Sequence, residues 1–298
     1  MLTEELMREV RRLEIRARRR VSDLFAGEYH SAFKGQGIEF ADVREYEPGD
    51  DVRTIDWNVT ARAGKPFIKR FSEERQLSVM LVVDLSASGL FGSGDKSKAR
   101  LMAEMGSVLA MAATRNNDRV GLMTFSDQVE LFLPPRKGRK GLLRLMRELL
   151  DAEPRGGGRA FADALSTLRG VLDRHSIVFV ISDFLDEREG EAPWELPLRL
   201  LARKHDVIAL RVSDPREHDL PALGLIELED PESGSRVLLD TSARSRRAAM
   251  RRADQAHERR LRAMFQRDRV DLVDISTDRS FTDDLARYFH LRERRRAT

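Results

Sequence analysis

The chain has 298 residues, with 53 Lys+Arg against 50 Asp+Glu and no cysteine. That near-neutral balance excludes a protein committed as a whole to nucleic acid. The missing thiols exclude disulfide frameworks, thiolate nucleophiles and Cys-based zinc sites.

Taken in chain order, Leu2, Leu6, Val10, Leu13, Ala17, Val21 and Leu24 recur at three-to-four spacing and predict an amphipathic helix over 2–25. The start lacks the basic and apolar regions of a signal peptide, and no apolar run approaches the length of a membrane span, so the expectation is a cytoplasmic chain without a membrane span. From Gly27 to Arg75 the texture predicts short extended pieces and turns, with Glu47-Pro48-Gly49-Asp50 as one turn. Arg44, Arg53 and Arg62 alternate there with Asp42, Asp50, Asp56, Glu73 and Glu74. This pattern predicts an ion-pair network around Trp57, either a docking patch or a means of holding a small β unit on a larger domain.

After Gln76 the pattern alternates between strand and helix. Strands are expected at Leu77–Asp84, Arg119–Phe125, Val129–Leu133, Ser176–Ser182, Val207–Val212 and Val270–Ile275, with a hairpin at Leu225–Glu229 and Arg236–Leu239. Helices are expected near 97–115, 138–150, 161–173, 195–204, 242–268 and 281–293. The reading is an α/β fold, a Rossmann-like, mostly parallel sheet with helices on both faces. It comprises residues 77–298 and follows a small β-rich N-terminal subdomain over 1–76.

In such sheets ligands bind beyond the carboxyl ends of the strands. Two apolar strands end there in polar loops, Asp84-Leu85-Ser86-Ala87-Ser88 and Ser182-Asp183. Asp84, Ser86 and Ser88, at i, i+2 and i+4, place three hard oxygens on one side of a loop, and Asp183 reaches the same crevice if its strand is the neighbour. Two readings stay open: a site for Mg²⁺ or Mn²⁺ with a position free for a partner's carboxylate, or helix caps and a turn.

Asp84-x-Ser86-x-Ser88 resembles the D-x-S-x-S metal-ion-dependent adhesion motif (MIDAS) of von Willebrand factor A (vWA) domains, and Ser182-Asp183 resembles their later aspartate. Gly37-x-Glu39-Phe40, Arg44-x-Tyr46, Gly49-Asp50, Arg53-x-Ile55-Asp56-Trp57 and Ala61-Arg62 resemble the N-terminal signature of the bacterial domain-of-unknown-function 58 (DUF58) family. The resemblance implies a vWA-type fold and a chaperone-like partner of MoxR-type AAA+ ATPases, binding through the Ser86/Arg159/Asp183 edge and performing no chemistry. It also implies metal ligands at Asp84, Ser86, Ser88 and Asp183. The family's second metal loop usually reads Gly-x-Thr-Asp, whereas here Arg159 stands in the threonine's place, within Gly156–Phe161. The motif is therefore degenerate. Arg159 either neutralises Asp84 and Asp183 without a cation or points into water.

Other patterns compete. Gly89 to Ser97 evokes a phosphate-binding P-loop, and nucleotide hydrolysis through Gly94–Ser97 is the alternative function. Asp95, however, is inserted between Gly94 and Lys96 and puts a negative charge where phosphates would lie. The six histidines show no metal-ligand spacing. The helix near 242–268 bears Arg244, Arg246, Arg247, Arg251, Arg252, Arg259, Arg260 and Arg262 opposite a seam of Met250, Ala253, His257, Leu261 and Met264. A solvated face is expected there rather than a nucleic-acid surface.

Overall fold

The computed structural model describes residues 23–33, 38–73, 77–157, 159–186, 192–229 and 234–297. Phe33–Leu77 forms one compact unit, and Ser78–Thr298 with the chain up to Ala32 forms the other. The expected helix over 2–25 lies mostly outside the described residues. Helix α1 is seen over Asp23–Phe33, so 27–33 is helical where extended pieces were expected. Up to Ala32 it belongs to the larger unit, where the Tyr29 hydroxyl donates to Asp118 and His290 sits 2.7 Å from Glu28.

In the smaller unit, strands β1 (Ile38–Glu45) and β2 (Phe67–Glu73) pair antiparallel. Between them lie a 3-10 turn, Val52–Thr54, and helix α2, Trp57–Ala63. The helix forms because Asp56 accepts from the amides of Asn58 and Val59, while Gly64, at φ 70°, ends it in the left-handed region. Asp50 pairs with Arg44 at 2.7 Å. Trp57 is 70% exposed, so the described pairs form no cage around its indole. Asp56 serves the helix instead, and the side chains of Asp42, Glu73 and Glu74 lie outside the described ones.

The larger unit is a six-stranded sheet in the order β10-β7-β6-β3-β4-β5. Its strands are β3 (Ser78–Asp84), β4 (Arg119–Phe125), β5 (Val129–Arg136), β6 (Ile177–Ser182), β7 (Asp206–Ser213) and β10 (Asp271–Ser276). All pairs are parallel except β4 with β5. Helices α3 (Lys98–Arg115), α4 (Arg139–Leu150), α5 (Phe161–Val171), α6 (Glu195–Ala202), α8 (Arg244–Arg267) and α9 (Phe281–Ala297) surround it. Strands β3 and β6 are buried along nearly their whole length, as both-face coverage requires.

On one face Met80, Val82, Val178 and Val180 pack with Phe161, Leu165, Trp194 and Phe265. On the other, Gly106 brings α3 against Leu81, Ile181 and Leu149. The expected seam on α8 packs only at its C-terminal end, through Leu261, Met264 and Phe265, while Met250 is exposed. The six-residue edge strand β10 is too short to cover a 24-residue helix, and the rest of α8 is half-buried or exposed. Several of its arginines are held by carboxylates, Arg251 by Asp219 and Arg262 by Glu258. A two-stranded hairpin, β8 (Leu225–Glu229) with β9 (Arg236–Asp240), leads into it after the short helix α7 (Pro215–His218).

His205, just before β7, is buried, and neither ring nitrogen has a hydrogen-bond partner among the described residues. Burial, aided by Lys204 and His175, lowers its pKa to about 4. The unfolded chain takes up this proton near the ordinary pKa of about 6.5, the folded chain only near 4. Stability should therefore fall as pH drops through that window, and His205→Leu should flatten this part of the slope. Urea midpoints measured across the window test it; equal slopes for both chains would contradict the assignment.

Candidate functional site

The chain runs from β3 outward to β4 and β5, then returns to β6 on the other side of β3. The carboxyl ends of β3 and β6 thus flank a topological switch point, where a crevice opens in sheets of this kind. Asp84 ends β3 and Asp183 follows β6.

The structure brings Asp84, Ser86, Ser88 and Asp183 together. One Asp84 oxygen accepts from the Ser86 amide at 2.8 Å, and the other accepts from the Ser182 hydroxyl at 2.7 Å. The Ser86 and Ser88 hydroxyls lie 2.9 Å apart, and Ser88 donates to Asp183 Oδ2 at 2.7 Å. The capping reading of these serines is not what forms: Ser86 precedes the 3-10 turn Ala87–Leu90 without a side-chain cap, and Ser97 caps α3. Burial, together with the neighbouring Asp183, pushes the Asp84 carboxyl up to about 6, against the hydrogen bonds from Ser182 and Ser86.

Sequence reasoning missed the cation. Lys98, the first residue of α3, is fully buried, with its ammonium 2.8 Å from Asp183 Oδ2 and 2.6 Å from Glu217. Burial works to strip its proton, but the charges and hydrogen bonds of Asp183 and Glu217 prevail and hold its pKa above the usual lysine value. Glu217 is itself fixed by a capping box with Asp214 at the start of α7. The only local sign of Lys98's role was a lysine directly after a Ser cap. Its acidic partners stand 85 and 119 residues away.

Arg159, by contrast, is exposed. The loop carrying it does reach the crevice: the Gly156 carbonyl accepts from the Ala87 amide at 2.9 Å, and the Arg155 amide donates to Leu85. Gly156 is required there. Its φ is 67°, and a Cβ would stand 2.3 Å from the Asp127 carboxylate that binds the Gly157 amide.

Asp214 anchors the next strand end. Burial opposes its charge, yet bonds from Ser93, Thr277 and the Arg216 amide hold its pKa down to about 2. The Ser93 amide of the loop resembling a P-loop is thus taken by a carboxylate, and Lys96 pairs with Glu104 at 2.5 Å. Leu90, Phe91 and Leu185, next to the serines and to Asp183, are 58, 40 and 50% exposed.

A Mg²⁺ site of the adhesion type needs oxygen donors in near-octahedral geometry and room for the ion beside the later aspartate. Here Asp183 Oδ2 already accepts from both Ser88 and Lys98, and no hydroxyl stands at position 159. The set fits a resident divalent cation poorly. Among the described residues no cluster of three or more His, Asp or Glu has metal-binding geometry.

The family described as protein of unknown function DUF58 matches residues 42–260. The chain belongs to the DUF58 family. Uncharacterized proteins of Mycobacterium tuberculosis and Mycobacterium bovis are each 32% identical to this DUF58 chain over 97% of it and 90% of their own length. Solved structures with likeness to it include BatB from Bacteroides thetaiotaomicron, at 16% identity and TM-score 0.49 over 73% of this chain and 99% of that one. The Rpn10 VWA domain gives 15% and 0.38 over 72% and 95%. No helix among the described residues is long and apolar enough to cross a membrane.

Proposed function

We propose that this DUF58 chain is a protein-interaction module that performs no chemistry, and that it docks through the carboxyl edge of β3 and β6 onto a MoxR-type AAA+ ATPase. The observation carrying the reading is a buried hydroxyl–carboxylate centre at the switch point with an exposed apolar margin beside it. Ser88 joins the two strand ends, and Leu90, Phe91 and Leu185 expose a large part of their side chains beside it. Polar groups that fix register beside apolar groups that gain from burial are what protein contacts use. The partner class rests on the family resemblance in residues 37–62. The Asp214 carboxylate on the Ser93 amide supports this reading over nucleotide hydrolysis through Gly94–Ser97, because it sets a negative charge in the loop where phosphate would lie.

The test is binding of the purified chain to a MoxR-type ATPase encoded in the same genome, by calorimetry. Measurable association should fall at least about tenfold for Phe91→Asp combined with Leu185→Asp, since charges replace two apolar contacts. Undiminished binding would move the contact elsewhere, and ATP turnover by the chain alone would favour the enzyme reading.

A further inference from the structure

We propose that Lys98 is the crevice's built-in cation: its ammonium takes the place a divalent ion would fill, so the crevice is assembled, and engages its partner, without metal. The last clause rests on the docking function proposed above; the first does not.

Three observations carry the inference. Lys98 is placed where a lysine is otherwise unfavourable. It is the first residue of an 18-residue helix, at the end carrying the partial positive charge of the helix dipole, and it is fully buried. Such an ammonium persists only when strongly compensated, and Asp183 at 2.8 Å and Glu217 at 2.6 Å supply two carboxylates. Second, its nitrogen shares one oxygen, Asp183 Oδ2, with Ser88, the last hydroxyl of the D-x-S-x-S loop. The ammonium therefore ties the carboxylate after β6 to the hydroxyls after β3, the bridging task of an ion between those strands. A divalent ion bound by the same carboxylate would stand within a few ångströms of a fixed positive charge. Third, the loop position that would complete a metal shell holds Arg159, an exposed residue without a hydroxyl, so nothing there compensates for the repulsion.

The arrangement changes what a partner meets. A metal with an open position attracts a carboxylate. Here the ammonium is enclosed, and the accessible features are Ser88 and the apolar Leu90, Phe91 and Leu185. The partner contact is then made by hydrogen bonds and apolar side chains, and a chelator leaves it unchanged.

The probe is Mn²⁺ alone, followed by the loss of its free-ion electron paramagnetic resonance signal on the chelator-treated full chain. The wild type should show no saturable binding, and Arg159→Thr should behave like it. Lys98→Ala should gain saturable Mn²⁺ binding, at least about tenfold tighter than the limit set by the wild-type titration, because a fixed like charge has left the shell. Adding Asp84→Ala should abolish that gain. Saturable wild-type binding that Asp84→Ala removes overturns the proposal, and so does a folded Lys98→Ala that gains nothing. A gain by Arg159→Thr assigns the role to Arg159 and overturns it equally. If Lys98→Ala does not fold, the wild-type and Arg159→Thr titrations still decide. Failure of the ATPase to bind under any condition removes the partner reading but leaves the Mn²⁺ result standing.

Discussion

Asp183→Asn should lower the stability of the chain by roughly 3 kcal/mol, and Lys98→Met by a similar amount, because each takes a counter-charge away from a buried charge. Lys98 and Asp183 are both nearly inaccessible, and their contact is 2.8 Å. Losing the carboxylate leaves the ammonium with Glu217 as its one charged partner here, while Ser88 loses its charged acceptor. Losing the ammonium leaves Asp183 beside Asp84, two buried carboxylates with one fewer counter-charge. The double variant should be less destabilised than the sum of the singles, by about 1–3 kcal/mol, since both charges leave together. Urea unfolding of the four chains measures this. Strict additivity would show that the ammonium and the carboxylate do not act as a pair.

Trp194→Ala should cost on the order of 3–5 kcal/mol, the range for deleting a buried tryptophan. Its indole is fully buried among Phe161 (centroids 5.4 Å apart), Phe184 (5.3 Å) and Phe265 (6.0 Å), and its ring N–H donates to the Asp186 carbonyl at 3.0 Å. These rings join α5, α6, α8 and the end of β6, so the cavity would open where three helices meet the sheet. Phe184, at φ 59°, is held in the left-handed region beside them, directly after Asp183, so the cluster also positions the candidate site. The other tryptophan, Trp57, is 70% exposed, and Trp57→Ala should leave the unfolding transition of the larger unit nearly unchanged while retaining blue-shifted emission from Trp194. A loss below about 1 kcal/mol for Trp194→Ala would contradict the packing.

Much of the architecture was already legible. Apolar runs such as Ser78–Asp84 and the three-to-four spacing of α3 and α4 carry their own periodicity, because burial on one or both faces is written into neighbouring residues. The polar strand ends pointed to the crevice for the same reason. A motif of three residues at i, i+2 and i+4 needs only one loop, and Asp84, Ser86 and Ser88 form it. The smaller unit was less legible. Residues 27–33 and 57–63 are helical despite a turn-like texture, since short helices are decided by caps such as Asp56 more than by period.

The partners of each charge were decided by the tertiary structure alone. Arg159, next to the motif in the expected alignment, is exposed, whereas Lys98 reaches Asp183 and Glu217 across 85 and 119 residues. The order β7-β6-β3 brings those three loops side by side, and strand order is a property of the whole sheet that no local spacing contains. The sequence determined by itself that polar oxygens would gather at the end of β3. Which cation would face them followed from the packing, because compensation of a buried charge depends on distance in space.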